Sequence, residues 1–256
     1  MCKRDNGADA ARRALGSVGV CLPVSFTSNP HAESLREAVG RLEGAGYRAV
    51  WTNEVIGKDA LLQLAVLLSA TERTVFGTCI ANIWARPAQT MHAAAAQLAQ
   101  AYPNRFVLGL GVGYPEQAAS VGQEFGSPLA TMRDYVTRMD SPTWPPAPDA
   151  EYARIIAANG PKMLALAGDI ADGALPAMLA PEFTERARQS LGPDKLLVVG
   201  VSLVPDGFEP TGVVADVREH LTAGADHVTL LLPIGVDFDS GISQLERLAP
   251  ALAELG

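Results

Sequence analysis

The stretch Gly44-Ala45-Gly46-Tyr47-Arg48-Ala49-Val50-Trp51-Thr52-Asn53-Glu54 holds one joint of the fold. An amphipathic segment from about His31 to Ala45 stops at Gly46, as a helix does at a glycine C-cap. Ala49 to Thr52 has strand length, and polar Asn53 and Glu54 end it. A second helix-length segment, Asp59 to Ser69, follows. The same joint recurs at Gly224-Ala225-Asp226, which leads into the run His227 to Leu232. Working outward, the other strand-length runs are Val18–Pro23, Val75–Ile80, Arg105–Gly109, Arg154–Ala157, Gly173–Pro176 and Leu196–Val201. Helix-length segments alternate with them: Pro87–Ala101, about Leu129–Met139, Pro161–Asp169, Pro181–Leu191, Val213–Ala223 and Gly241–Leu255. Pro87, Pro161 and Pro181 stand at first-turn positions, where a missing N–H costs nothing. Apolar strands joined by helices imply a parallel sheet covered on its outer face. Eight such units favour closure into a single (β/α)₈ TIM barrel over an open doubly wound sheet. Residues 1–15, polar, charged and Ala-rich, are expected to form a disordered arm, and 16–256 the barrel domain.

The 256 residues, 48% of them hydrophobic, suffice for the large core of one barrel. A net charge of −8 without any dense Lys/Arg run excludes nucleic acid or an anionic membrane as the main partner. The apolar run Val18 to Val24 is too short to span a bilayer and flows straight into the strand–helix repeat. Cys2, Cys21 and Cys79 show no metal-ligand spacing, which suits a reducing compartment and a cytoplasmic protein. No GxSxG elbow, HExxH, P-loop or paired CxxC occurs. A barrel without an obvious nucleophile–base pair suits a cofactor that carries the chemistry itself.

Barrel topology puts every loop after a strand on the catalytic face. Ser25, Asn53, Glu54, Asn82, Trp84, Gly111 to Phe125, Asn159 to Lys162, Met178, Ser202 and Asp237 fall there. His220 and His227 fall on the opposite face. The loop from Gly111 to Pro128 is the longest and is the natural lid. Gly109-Leu110-Gly111-Val112-Gly113 allows either close approach of backbone amides to a ligand or a tight turn needed for packing; as a dinucleotide fingerprint it is misplaced. Asn159-Gly160-Pro161-Lys162 opens a helix, where free amides, the helix dipole and the Lys charge could hold an anion; the plainer reading is an ordinary helix start with a solvated Lys. Glu54 could orient a ligand or move a proton, or merely supply charge to the helix that follows. His31 and His92 read as solvated or packed side chains.

Taken in order, Gly46 to Glu54, Gly77-Thr78-Cys79-Ile80-Ala81-Asn82-Ile83-Trp84-Ala85-Arg86, Arg105 to Gly113, Gly160-Pro161-Lys162-Met163, Ala171-Asp172-Gly173 and Gly224 to Val228 resemble the bacterial luciferase-like flavin and deazaflavin oxidoreductases. The likeness is greatest to the actinobacterial branch of F420-dependent oxidoreductases and covers about residues 16 to 255. The resemblance implies a barrel with an isoalloxazine-type ring at its mouth. Asn53 and Glu54 would act as catalytic residues. Cys79, Ile80, Ala81, Asn82, Gly111 and Val112 would border the ring, and Asn159, Gly160, Pro161 and Lys162 would meet the cofactor phosphate. It also implies a cis peptide at Cys79–Ile80. The cofactor would be F420, moving a hydride to or from a small organic substrate. The alternatives are FMN in a monooxygenase, or a catalytically silent relative. Two departures stand out. Val55 occupies the place where many deazaflavin members have His after an acidic residue, and the path from the sixth to the eighth strand is shorter than in the family.

The helix 59–69 is apolar nearly all round. Leu61, Leu64, Ala65 and Leu68 can face the sheet, leaving Leu62 and Val66 on another flank with Leu67 nearby. The neighbouring helix 87–101 carries Ala93 to Ala96, small enough for close approach. A homodimer through these two helices is expected, as the resembling family also forms.

Overall fold

The computed structural model describes residues 7–203 and 209–255. Its strands are β1 (Val18–Cys21), β2 (Ala49–Thr52), β3 (Val75–Thr78), β4 (Ala81–Asn82), β5 (Phe106–Gly111), β6 (Ala153–Ala157), β7 (Gly173–Leu175), β8 (Leu196–Ser202) and β9 (His227–Leu231). The helices are α1 (Gly7–Leu15), α2 (Ala32–Gly44), α3 (Ala60–Ser69), α4 (Ala88–Ala101), α5 (Pro115–Ser120), α6 (Pro128–Met139), α7 (Pro161–Ile170), α8 (Pro181–Leu191), α9 (Pro210–Thr222) and α10 (Phe238–Leu252). Neighbouring strands pair in parallel in the order β3-β2-β1-β9-β8-β7-β6-β5-β4, and a β3–β5 pairing closes the ring. β3 and β4 are successive pieces of one stave, so the barrel has the eight expected.

The third stave breaks between Thr78 and Ala81. Phe76 and Gly77 pair with Phe106 and Val107, while Ala81 and Asn82 pair with Leu110 and Gly111. Between the two pieces the Cys79–Ile80 peptide is cis. Thr78 spans the gap sideways: its hydroxyl donates to Gly109 O at 2.7 Å and accepts from Gly109 N at 2.9 Å. At Gly111 a Cβ would lie 2.6 Å from Ile80 Cγ1, so only glycine lets Ile80 pack there. In the glycine-rich segment, the packing reading therefore accounts for Gly109 and Gly111.

The core has two layers. One lies between the sheet and the helix ring. The other fills the barrel interior and includes Cys21, Ala49, Trp51, Val107, Ile155 and Val198. Ala8, Ala11 and Leu15 of α1 belong to this inner layer. Residues 7–15 are thus a helix against the N-terminal end of the barrel, not a disordered arm; residues 1–6 lie outside the described residues. The reason is visible in the spacing: Ala8, Ala11 and Leu15 sit at i, i+3 and i+7, one face of a helix. Loops of the same end fasten it. Arg12 Nε donates to Asp226 at 2.8 Å, and Arg48 Nη2 donates to Arg13 O at 2.8 Å. His227, at the start of β9, lies in this end too. It is wholly buried, accepts from Trp51 Nε1 at Nε2 (3.0 Å) and meets Gly16 O with Nδ1 (2.7 Å).

Candidate functional site

The C-terminal ends of the strands carry a polar network centred on Glu54, which follows β2. Its carboxylate is buried. Oε1 accepts from Ala60 N at 2.9 Å and from Arg86 Nη2, and Oε2 accepts from Asn82 N at 2.8 Å and Arg86 Nη1 at 3.1 Å. Arg86 also pairs with Asp59 at 3.0 Å, and Asp59 caps α3 by accepting from Leu62 N. One carboxylate thus ties the end of β2, the short strand β4, the start of α3 and the loop after β4. Ionised carboxylates only accept, and here the four accepted bonds fill both oxygens. This is a buried, satisfied ion pair that fixes the shape of the mouth.

Asn82 is wholly buried. Its Oδ1 accepts from Trp84 N at 3.0 Å, while its Nδ2 has no partner among the described residues and would lie 3.5 Å from a Cβ at Gly113. Val112 O accepts from Trp84 Nε1 at 2.7 Å, and Phe125 of the lid packs on the Trp84 ring. The lid is not plain loop: it holds α5, with Pro115 at its first position. Ala81 is buried, whereas Cys79 and Ile80 are half-buried.

Across the mouth, Gly160 caps α7, Pro161 takes its first position, and Lys162 is exposed with no ion pair among the described residues. The first-turn N–H groups of such a helix have no intrahelical acceptor. Asn159 turns its Oδ1 away from this task, accepting from Ala177 N at 2.9 Å. That bond and one from Met178 N to Gly200 O hold Met178 at a φ of +59, which leaves its side chain on the rim.

Sequence reasoning missed Lys58. Gly57, at a φ of +99, makes the turn from Val55 to Lys58, closed by a 2.9 Å bond from Lys58 N to Val55 O. The turn folds Lys58 back over β2. Its Nζ donates to Thr52 Oγ1 at 3.0 Å and to Asn53 Oδ1 at 2.8 Å. The Asn53 side-chain oxygen is therefore occupied by Lys58. Burial lowers the Lys58 pKa from its ordinary value, against the pull of Cys21, Cys79 and Glu54. A Gly-Lys turn straight after a strand was the available signal. The structure also brings Cys21 and Cys79, distant in sequence, to an Sγ–Sγ distance of 3.3 Å beside it.

The histidines take no part. His31 precedes α2 without a capping bond, His92 bonds the Tyr152 hydroxyl, and His220 bonds Thr184. A cavity of about 420 Å³ lined by Gly7, Ala10, Ala14, Phe106 and Tyr152 opens at the opposite end of the barrel.

Comparison with known proteins agrees with this architecture. Over 177 residues the chain is 31% identical to Rv3520c of Mycobacterium tuberculosis (strain ATCC 25618 / H37Rv), provisionally named a coenzyme F420-dependent oxidoreductase. That match takes in 57% of this chain and 51% of the relative, so the chain matches about half the length of that relative. Among solved structures, an F420-dependent secondary alcohol dehydrogenase in complex with an F420-acetone adduct superposes with a TM-score of 0.72 at 17% identity, covering 93% of this chain and 99% of that one. The coenzyme F420-dependent tetrahydromethanopterin reductase of Methanopyrus kandleri gives 0.70 at 15% identity, covering 94% and 100%. The FMN-bound oxygenating constituent of 3,6-diketocamphane monooxygenase from Pseudomonas putida gives 0.70 at 12%, covering 94% and 98%. At such identities these likenesses establish the fold. The family model of the luciferase-like monooxygenases matches residues 17–192, more than half of the chain, and the chain belongs to that family.

Proposed function

We propose that the chain is an oxidoreductase that holds the deazaflavin coenzyme F420 at the C-terminal mouth of its barrel and serves a small organic substrate there. The observation that carries this reading is the pairing of two features across one mouth: the start of α7 with Lys162, which has no ion pair among the described residues, and the third stave divided between Thr78 and Ala81. The first suits a phosphate, because free amides, the helix dipole and an ammonium act together. The second suits a planar ring, and Asn82 Nδ2, close to Gly113, is a buried donor without an acceptor among the described residues. When bound, F420 supplies or takes up a hydride. The protein's part is binding, orientation and exclusion of water. Asn159, Gly160, Pro161 and Lys162 hold the phosphate; Cys79, Ile80, Ala81, Asn82, Gly111 and Val112 border the ring. Glu54 and Asn53 act by position, since their oxygens are already committed to Arg86 and Lys58. The name of the mycobacterial relative supports the choice of F420 over FMN.

Equilibrium titration of the purified protein with F420 and with FMN, read by fluorescence, tests this. Saturable binding of F420 with weaker FMN binding is the expected result. Tighter FMN binding selects the monooxygenase reading, and binding of neither selects a silent family member.

The proposed assembly rests on α3. Leu61, Leu64, Leu67 and Leu68 are buried against the barrel, so Leu67 does not join the outer flank; Leu62 is 69% exposed, beside a half-buried Val66. We infer a two-fold dimer through α3 and α4 that covers Leu62. No described helix is long and apolar enough to cross a membrane, and the two described thiols remain unpaired, in keeping with a cytoplasmic site.

A further inference from the structure

Lys58 is a half-buried ammonium that makes no ion pair among the described residues. Its two hydrogen-bond partners, Thr52 Oγ1 and Asn53 Oδ1, are neutral oxygens, and Thr52 in turn donates to Gln63 Oε1 at 2.6 Å. The charged and titratable groups that face it are Cys21 on β1, Cys79 after β3 and Glu54 after β2. Neither Cys79 nor Glu54 is a free counter-ion. The Cys79 thiol is held neutral by its contact with Cys21 and by burial, and the Glu54 oxygens are filled by Arg86 and two amides. A partly desolvated ammonium with three N–H bonds and two neutral acceptors has one donor and its charge left to satisfy.

The surroundings say what kind of molecule brings the missing negative charge. Large exposed apolar side chains stand on the loops that follow the strands: Phe26, Ile56, Tyr114, Val121, Met178 and Ile234. Such a rim favours an apolar body, and Lys58 favours one oxygen able to carry charge.

We propose that Lys58 is the oxyanion-binding and proton-donating group of the mouth, and that the substrate is an apolar carbonyl compound whose oxygen seats on its Nζ. The reductive step rests on the F420 reading; the binding of an oxyanion does not. If a reduced deazaflavin delivers a hydride to the carbonyl carbon and is itself oxidised in return, a C–H bond forms and the π pair of the C=O bond moves to oxygen. That oxygen takes a proton from Nζ. The products are an alcohol and a neutral Lys58 amine, which regains its proton from water. The lowered pKa of Lys58 suits such a donor.

The test uses 4-nitrophenol, an apolar ring with one ionisable oxygen and a coloured phenolate, added to the full chain without cofactor. The expected result is a preference for phenolate over phenol of about tenfold, which is one unit of lowered pKa for the bound probe. Lys58→Met should abolish the preference while circular dichroism and Tm stay close to wild type, and Lys58→Arg, which keeps the charge, should retain most of it. An unshifted probe in the wild type, or an equal shift in Lys58→Met, overturns the proposal. So does loss of phenolate binding in saturating F420, which would assign Lys58 to the cofactor. Failure of the F420 titration with an intact phenolate shift would sink the cofactor reading and leave the oxyanion site standing.

Discussion

Replacing Glu54 by Gln changes one oxygen to an NH₂ group and leaves the shape intact. Every neighbour of that carboxylate is a donor: Ala60 N, Asn82 N and both terminal nitrogens of Arg86. The new NH₂ group therefore faces a donor whichever way the amide turns, and the Arg86 side chain, 9% exposed, loses its buried counter-charge. Asp59 remains as a partner at 3.0 Å but is half exposed. Breaking a buried pair on one side typically costs about 3–5 kcal/mol. For a chain of this size each kcal/mol lowers Tm by roughly 2–4 °C, so a fall of about 10 °C is expected. Scanning calorimetry of Glu54→Gln, Arg86→Met and the double variant measures it. The double variant should be less destabilised than the sum of the singles, because it strands no charge. An unchanged Tm in Glu54→Gln, or strict additivity, would show that this carboxylate does not hold the mouth together.

The buried His227 makes stability depend on pH. Trp51 Nε1 donates to its Nε2, so the ring is neutral with its proton on Nδ1 toward Gly16 O, and burial holds its pKa at about 4. The unfolded chain titrates near 6.5 and binds the proton more readily, so the contribution is complete above that value and is lost as pH falls toward 4, by up to about 3 kcal/mol. Urea unfolding of wild type and His227→Gln across this window should give a stability difference that shrinks on acidification; a difference independent of pH would refute it. At the proposed interface, Leu62→Lys with Val66→Lys should convert a dimer to a monomer in light scattering at micromolar concentration, and a dimer that ignores both charges would place the contact elsewhere.

The barrel is legible in the sequence because its staves are buried on both faces. Continuous apolar runs such as Leu196 to Val201 fall within a residue or two of their observed ends. What the runs do not reveal is a break inside a stave: Val75 to Ile80 reads as one strand, whereas the strand ends at Thr78, which bonds sideways to Gly109, and resumes at Ala81. Residues 7–15 were hidden by composition, since Ala and Arg suggest a solvated arm and only the spacing of Ala8, Ala11 and Leu15 shows a face. The mouth is legible in position more than in role. Glu54 and Asn53 stand where the topology puts them, but that their oxygens are taken by Arg86 and Lys58 depends on a loop turn and on a residue 32 positions away. Lys58 carries no signal beyond the Gly-Lys pair after a strand, and its importance comes from a turn at Gly57 that periodicity cannot express.

The central claim is that the start of α7 receives the phosphate of a deazaflavin bound in the mouth. Its most direct test is the affinity of F420 for the wild type and for Lys162→Ala, measured side by side at low salt. Lys162 is exposed and carries no ion pair among the described residues, so its removal leaves the fold intact. A charge-assisted contact to phosphate is worth about 1.5–3 kcal/mol, and the variant should bind roughly ten- to hundredfold more weakly. Added salt should narrow the gap. Equal affinity for both proteins at low salt would contradict the placement of the phosphate, and with it the account of the mouth as an F420 site.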